Sequence, residues 1–208
     1  MKIFDIGANY GSFTDEYIKL NPETQVVCVE ANPTLYETLT NKYQTQPNIK
    51  VHHYLVSHKS DEHIDFYINQ ACDGVSTAHI DWVINSRFSN SSWAMPIEIK
   101  TITLDDLIDS TFLPDMIKID VEGYENNVIK GLTKKVDLIQ FEWAEEELES
   151  IKDTCEYLKS IGFTQFAYKF EDKPYSYIPT EYCPLEDLGL FETLIPSRKE
   201  KWGMIYTK

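Results

Sequence analysis

Long apolar runs are missing from this 208-residue chain, and so is any concentration of positive charge. No stretch approaches the roughly 20 apolar residues that a spanning helix needs, so no membrane span is expected. Lys and Arg number 19 against 34 Asp and Glu, a formal net charge of −15. A field of that sign repels phosphate backbones, which argues against nucleic acid as a partner. Cysteine is scarce: Cys28, Cys72, Cys155 and Cys183 stand far apart with no CxxC pair. That pattern fits reduced thiols better than disulfides or a zinc site. The 8 glycines form neither G-x-G-x-x-G nor GxxxxGK[ST], which disfavours a dinucleotide turn and excludes a P-loop. Asp5 interrupts the opening apolar residues before a signal core can form, so the expected location is cytoplasmic.

What is present is a regular alternation. Residues 3–6 read as a strand and 12–20 as a helix stopped by Asn21-Pro22. Residues 25–29 make a second strand, and Pro33 opens a helix with Leu35, Leu39 and Tyr43 on one face. Further strands are read at 49–56, 116–121, 136–141 and 202–206, and Leu148, Ile151, Cys155 and Leu158 form the stripe of the longest helix. Strands apolar on both faces, alternating with helices, predict a doubly wound α/β fold with a mostly parallel sheet and helices on both faces. The length suits one domain over 1–208. Residues 69–96 and 170–200 break the rhythm and read as irregular insertions, the first a candidate substrate lid.

In such a sheet ligands bind beyond the carboxyl ends of the strands, where Asp5-Ile6-Gly7-Ala8-Asn9-Tyr10-Gly11 lies. Gly7 and Gly11 allow close backbone approach, and Glu30 ends the next strand 19 residues after Gly11, placed to accept ribose hydroxyls. Asn9 and Ser12 occupy the second and third glycine positions of a dinucleotide turn, and Asp5 adds a carboxylate. This disfavours pyrophosphate and suits a cationic nucleoside, S-adenosylmethionine; the bland alternative is a tight turn with no ligand. Residues 116–125, MIKIDVEGYE, put Lys118, Asp120 and Glu122 on one side of a strand end facing the same crevice. The alternative there is a solvated strand end with Glu125 starting the next helix.

With FDIGANYGSFT (4–14), VCVEANP (27–33), YLVSHKSDE (54–62), ITLDDLI (102–108), IKIDVEGYENNVIKGL (117–132) and IQFEW (139–143) in this order, the chain resembles the FkbM-type family of S-adenosylmethionine-dependent methyltransferases. The resemblance implies a class I, Rossmann-like fold with a seven-stranded sheet whose last strand is antiparallel. It implies methyl transfer to an oxygen, with sugars, glycolipids and polyketide products as the usual acceptors. It assigns cofactor binding to Asp5, Gly7, Ala8, Asn9, Gly11, Phe13, Thr14, Glu30, Ala31, Asn32, Ser57 and Asp120, and matches Asp120, Glu122 and Gly123 to the second signature. Family members usually carry helical sequence ahead of the first strand; its absence here leaves three readings, a more open cofactor, a partner chain covering that side, or a further domain of a larger protein.

The expected function is an S-adenosylmethionine-dependent O-methyltransferase acting on a hydroxyl of a carbohydrate, glycan or related natural product. Asp120 is the candidate base, or the ligand of a cation that acidifies the hydroxyl, with Glu122 and Glu142 in support and His79 as a further candidate from the first insertion. An obligatory metal is not favoured; one would fall to Asp120, Glu122 and Glu142. Trp82, Trp93, Tyr175, Tyr177 and Tyr182 either stack on sugar faces or pin the insertions, and His52 and His53 read as structural. The competing readings are a methyltransferase-like docking domain without chemistry and a nicotinamide-dependent oxidoreductase, which the missing glycines disfavour.

Overall fold

The computed structural model describes residues 1–189 and 201–208. In chain order its elements are β1 (Lys2–Ile6), α1 (Ser12–Leu20), β2 (Gln25–Glu30), α2 (Pro33–Tyr43), β3 (Ile49–His53), β4 (Leu55–Val56), β5 (His63–Phe66), α3 (Ile80–Asn85), β6 (Ile97–Ile102), α4 (Leu104–Ser110), β7 (Met116–Ile119), α5 (Glu125–Ile129), β8 (Leu138–Ala144), α6 (Leu148–Ser160), β9 (Phe166–Phe170) and β10 (Trp202–Thr207). Seven strands form one sheet in the order β3-β2-β1-β7-β8-β10-β9. All its pairings are parallel except those of β10, which runs antiparallel to both neighbours.

The strand pattern follows from burial on both faces. Ile3 and Met116 point into an apolar layer with Phe13 and Tyr17 of α1 and Leu39 and Tyr43 of α2. Their neighbours Phe4 and Ile117 point the other way, into a layer with Leu104 and Leu107 of α4, Val128 of α5 and Ile151, Cys155 and Leu158 of α6. No polar face is left on these central strands, as expected for a parallel sheet covered by helices. Local signals set the helix starts. Asn32 accepts from Thr34 N (3.0 Å) ahead of Pro33, a cap of about 1 kcal/mol, and Thr103 does the same for Asp106 N (3.0 Å).

Three expectations change. The strand read at 49–56 divides at Tyr54: β3 stays in the large sheet, whereas Leu55 and Val56 pair with Thr101 and Ile102 of β6 in a three-stranded sheet, order β4-β6-β5. The strand read at 116–121 ends at Ile119, because Glu122 and Gly123 take φ of +56° and +87° and turn the chain. β9, an edge strand, was not read from the sequence. The 69–96 insertion is ordered around buried Asn69, whose Oδ1 accepts from Ala71 N (3.0 Å), Cys72 N (3.0 Å) and Ser91 Oγ (2.9 Å). Residues 190–200 of the second irregular stretch lie outside the described residues. Among the described residues no helix is long and apolar enough to cross a membrane.

Candidate functional site

The sheet order reverses at β1, which pairs with β2 on one side and β7 on the other. The turns after β1 and β7 therefore face each other across the topological switch point, where open α/β sheets bind ligands. Gly7 (φ +70°) is required there: a Cβ would lie 1.9 Å from the Asp120 carbonyl oxygen. Asp120 N in turn donates to Ile6 O (3.2 Å), so the two turns form one joined surface.

A cleft of about 540 Å³, counted with its open mouth, lies above them. Val29, Leu35, Leu55, Val56 and Phe66 supply an apolar wall; Gly7, Asn9, Glu30, Asp120 and Glu122 supply the polar side. Glu30 accepts Asn9 N (2.8 Å) on one carboxylate oxygen and Asn32 N (2.8 Å) on the other, leaving each oxygen a further lone pair. Burial pushes its pKa up, the two amides and Lys118 offsetting only part of that. Asn9 Oδ1 is buried with no partner among the described residues. The 3₁₀ turn Asp73–Val75 roofs this end: Tyr10 donates to Asp73 Oδ2 (2.8 Å), and Asp73, Gly74, Ser76 and Ala78 line the cleft.

Asp5 lies beneath the cleft rather than in it. Fully buried, it accepts from Thr14 Oγ1 (2.7 Å) and pairs with Lys118 Nζ at 3.2 Å, so its charge is met inside the protein and does not face a ligand. Lys118 also donates to Gly7 O (2.8 Å) and lies 3.5 Å from Asp120 Oδ2. Burial is the largest influence on Lys118 and lowers its pKa, yet Asp5 and Asp120 together hold the ammonium above its ordinary range. For Asp5 burial wins over Lys118 and Thr14, and its pKa is raised. The pair is asymmetric because the lysine has two carboxylates and the aspartate one ammonium.

A second cleft, about 760 Å³, adjoins the first and is lined by Trp82, Arg87, Phe88, Asp172 and Trp202, together with Asp120, Glu122, Glu142 and Ala144. Asp120, Glu122 and Glu142 each bring a carboxylate oxygen within 4.8 Å of the others. Burial first, and then the charges of their acidic neighbours, hold Glu122 and Glu142 well above the usual carboxylate range. Glu125, buried behind this turn, accepts from Val121 N (3.0 Å), and burial brings its pKa to about 7.

The remaining candidates are placed as follows. Gly7, Asn9, Glu30, Ala31, Asp120 and Glu122 line the first cleft, and Ala8 and Phe13 line another hollow with Lys118 and Tyr175 beside the same turn. A Cβ on Gly11 would lie 2.3 Å from the Tyr43 hydroxyl, so that glycine serves packing against α2. Asn32 is engaged as a helix cap and Thr14 with Asp5. Ser57 is fully buried behind the cleft, its Oγ 3.2 Å from the Tyr124 hydroxyl. His79 lines neither large cleft: its Nδ1 faces Glu147 Oε1 at 3.4 Å, and burial lowers its pKa. Trp82 lines the second cleft, whereas Trp93 donates Nε1 to Phe88 O (3.2 Å) and pins the insertion. His53 stacks on Tyr36 and bonds Ala31 O, a structural role. Asp172 and Trp202 were not among the site residues read from sequence; Lys118 was read on the crevice side of its strand but given no role in the site.

The family model for the methyltransferase FkbM domain matches residues 5–169. The chain is similar to the 2-O-methyltransferase NoeI of Sinorhizobium fredii, 26% identical over 157 residues, covering 70% of this chain and 64% of NoeI. It is also similar to the hexuronic acid methyltransferase AglP of Haloferax volcanii, 26% identical over 141 residues, covering 67% of this chain and 53% of AglP. It thus matches less than two thirds of the length of either relative. Among solved structures, fibrillarin of Aeropyrum pernix, crystallised with natively bound S-adenosyl-L-methionine, superposes with a TM-score of 0.50 at 12% identity, covering 100% of this chain and 66% of that one. A likeness at that identity concerns the fold, which is the Rossmann-like class I α/β architecture.

Proposed function

The chain belongs to the FkbM methyltransferase domain family, and from that premise we propose that it methylates a carbohydrate hydroxyl using S-adenosylmethionine. The observation that carries the reading is the shared wall: Asp120 and Glu122 line both clefts, so a donor in the first and an acceptor in the second would meet at carboxylates. The relatives' names, a 2-O-methyltransferase and a hexuronic acid methyltransferase, support a sugar acceptor.

The first cleft fits the cofactor on its own chemistry. Glu30 has lone pairs for two ribose hydroxyls, the apolar wall suits a base, and the orphaned Asn9 Oδ1 suits a donor. When bound there, the cofactor supplies an electrophilic methyl: the acceptor oxygen bonds to that carbon, the C–S bond breaks with its electron pair on sulfur, and the hydroxyl proton must leave. Asp120 takes that proton, held in place by its backbone bond to Ile6 and its contact with Lys118. Glu122 and Glu142 pass it on to solvent through the second cleft. Trp82, Phe88 and Trp202 orient the sugar face and exclude water, and alignment of the reacting atoms supplies most of the acceleration. The same three carboxylates are the ones that would hold a divalent cation if the reaction used it. The free thiols fit a reducing compartment, which supports a cytoplasmic location.

The test is calorimetric titration with S-adenosylmethionine and, in parallel, NAD. Selective binding of the former is expected, weakened about a hundredfold or more in Glu30→Ala, since two hydrogen bonds to a charged acceptor are lost. Binding of NAD in preference, or an unchanged affinity in Glu30→Ala, overturns the reading.

A further inference from the structure

The second cleft has a charge pattern that selects among sugars, an inference that rests on the reading above. Four of its nine lining residues are acids: Asp120, Glu122, Glu142 and Asp172. One basic residue, Arg87, stands in the lining, and it is already paired with an acid outside it. Arg87 directs Nε and Nη2 at the two carboxylate oxygens of Glu146 (2.7 and 2.6 Å), and Lys118 holds Asp5, Gly7 O and Asp120. Glu122 and Glu142 have no hydrogen bond or ion pair among the described residues. A second observation is independent of these acids. Trp82 is 2% exposed, lines the cleft, and leaves its indole N–H without an acceptor among the described residues. A buried donor in an aromatic wall calls for an acceptor oxygen laid against that wall, as a sugar ring or hydroxyl provides.

We propose that the acceptor is a sugar unit without an anionic group, that an ammonium on the ring adds to its affinity, and that a uronate is rejected. The acids and the indole divide the work. The ring stacks between Trp82, Phe88 and Trp202 with a hydroxyl on the indole N–H, and the face turned to Glu122, Glu142 and Asp172 carries hydroxyls or an amine. A sugar carboxylate would instead face the four lining acids against one basic lining residue, Arg87, whose guanidinium is already held by Glu146.

The experiment titrates the purified chain at pH 7 with methyl glycosides in gluco, galacto and manno configuration, each in amino, neutral and uronate form. Tryptophan fluorescence reports occupancy, since Trp82 and Trp202 line the cleft. The same compounds then compete as methyl acceptors with S-adenosylmethionine. In the configuration that binds best, the amino form is expected to bind about tenfold tighter than the neutral one and the uronate about tenfold weaker. Asp172→Lys narrows the gap between amino and uronate forms by about tenfold. A uronate that binds as well as its neutral counterpart overturns the charge selection, and if it is methylated the methyltransferase reading still stands. The expected binding order with no methyl transfer to any compound upholds the selection and overturns the methyltransferase reading. Uronate binding that appears only with added Mg²⁺ and vanishes with EDTA also overturns the proposal, because the acids would then serve a bridging cation.

Discussion

Replacing Lys118 by methionine removes the ammonium that joins the two turns while keeping most of the side chain's volume. What remains is Asp5, 0% exposed, with only the Thr14 hydroxyl at 2.7 Å to meet its charge. Breaking a buried pair from one side costs about 3–5 kcal/mol, against a total stability of about 5–15 kcal/mol for a domain. The sign of the pH dependence follows from Asp5. Burial already raises its pKa with the lysine present, and without it the rise is larger, so the folded variant holds a proton that the unfolded chain releases. The loss is therefore largest at neutral pH and shrinks as acid restores the neutral carboxyl. Urea denaturation of Lys118→Met at pH 7 and at pH 4.5, with Asp5→Asn and the double variant alongside, measures all of this. The double variant should recover at least about 2 kcal/mol relative to the sum of the singles. Strictly additive losses, or a Lys118→Met cost that is the same at both pH values, would refute the ion-pair account.

Three further outcomes are expected. Gly7→Ala, which sets a Cβ 1.9 Å from the Asp120 carbonyl at φ +70°, should lose about 3 kcal/mol in a denaturation curve and most of its affinity for S-adenosylmethionine; a variant with wild-type values would show that the turns are not in contact. Glu125 and Glu147 have pKa values raised to about 7 by burial, so the folded state binds extra protons between their unfolded range and pH 7, and stability should fall as pH climbs from 5 to 8. His52 and His79, lowered by burial, work in the opposite direction but are two groups against at least four buried acids; a melting temperature that rises over this interval would contradict the assignment. Asp120→Asn should bind S-adenosylmethionine within about threefold of wild type yet lose about 10²–10⁴-fold in methyl transfer, and EDTA should leave wild-type transfer intact; full activity in the variant removes Asp120 as base, and loss with EDTA restored by Mg²⁺ gives the role to a metal.

The central strands of the sheet were legible because they are apolar on both faces and bounded by turns, so the readings at 3–6, 25–29 and 116–121 fall on β1, β2 and β7, the last overrunning its end by two residues. β9 escaped because FAYKF is an edge strand with an outer half that stays partly exposed, which leaves no continuous apolar run. The joining of the turn after β1 to the end of β2 was legible through Gly7 and Glu30, whose spacing along the chain mirrors their approach across β1 and β2. Asp5 was misplaced for a physical reason: a period of two says which side of a strand a carboxylate takes, not whether a ligand or a lysine 113 residues away meets its charge. His79 shows the converse limit, since a polar loop residue carries no signal for the backbone that directs it toward Glu147. Trp202 and Asp172 reach the second cleft only through the pairing of β10 with β8 and β9, a long-range event that no local window contains.

The contact of Gly7 with the carbonyl of Asp120 also bears on how the protein folds. Its two sides come from chain segments more than a hundred residues apart, so the joined surface of the two turns does not exist until β1 has paired with β7. A chain in which only β1, β2 and their helices had formed would present half of that floor. A small molecule resting on that floor thus recognises completion of the sheet, and protects the finished chain against global opening rather than any one of its parts.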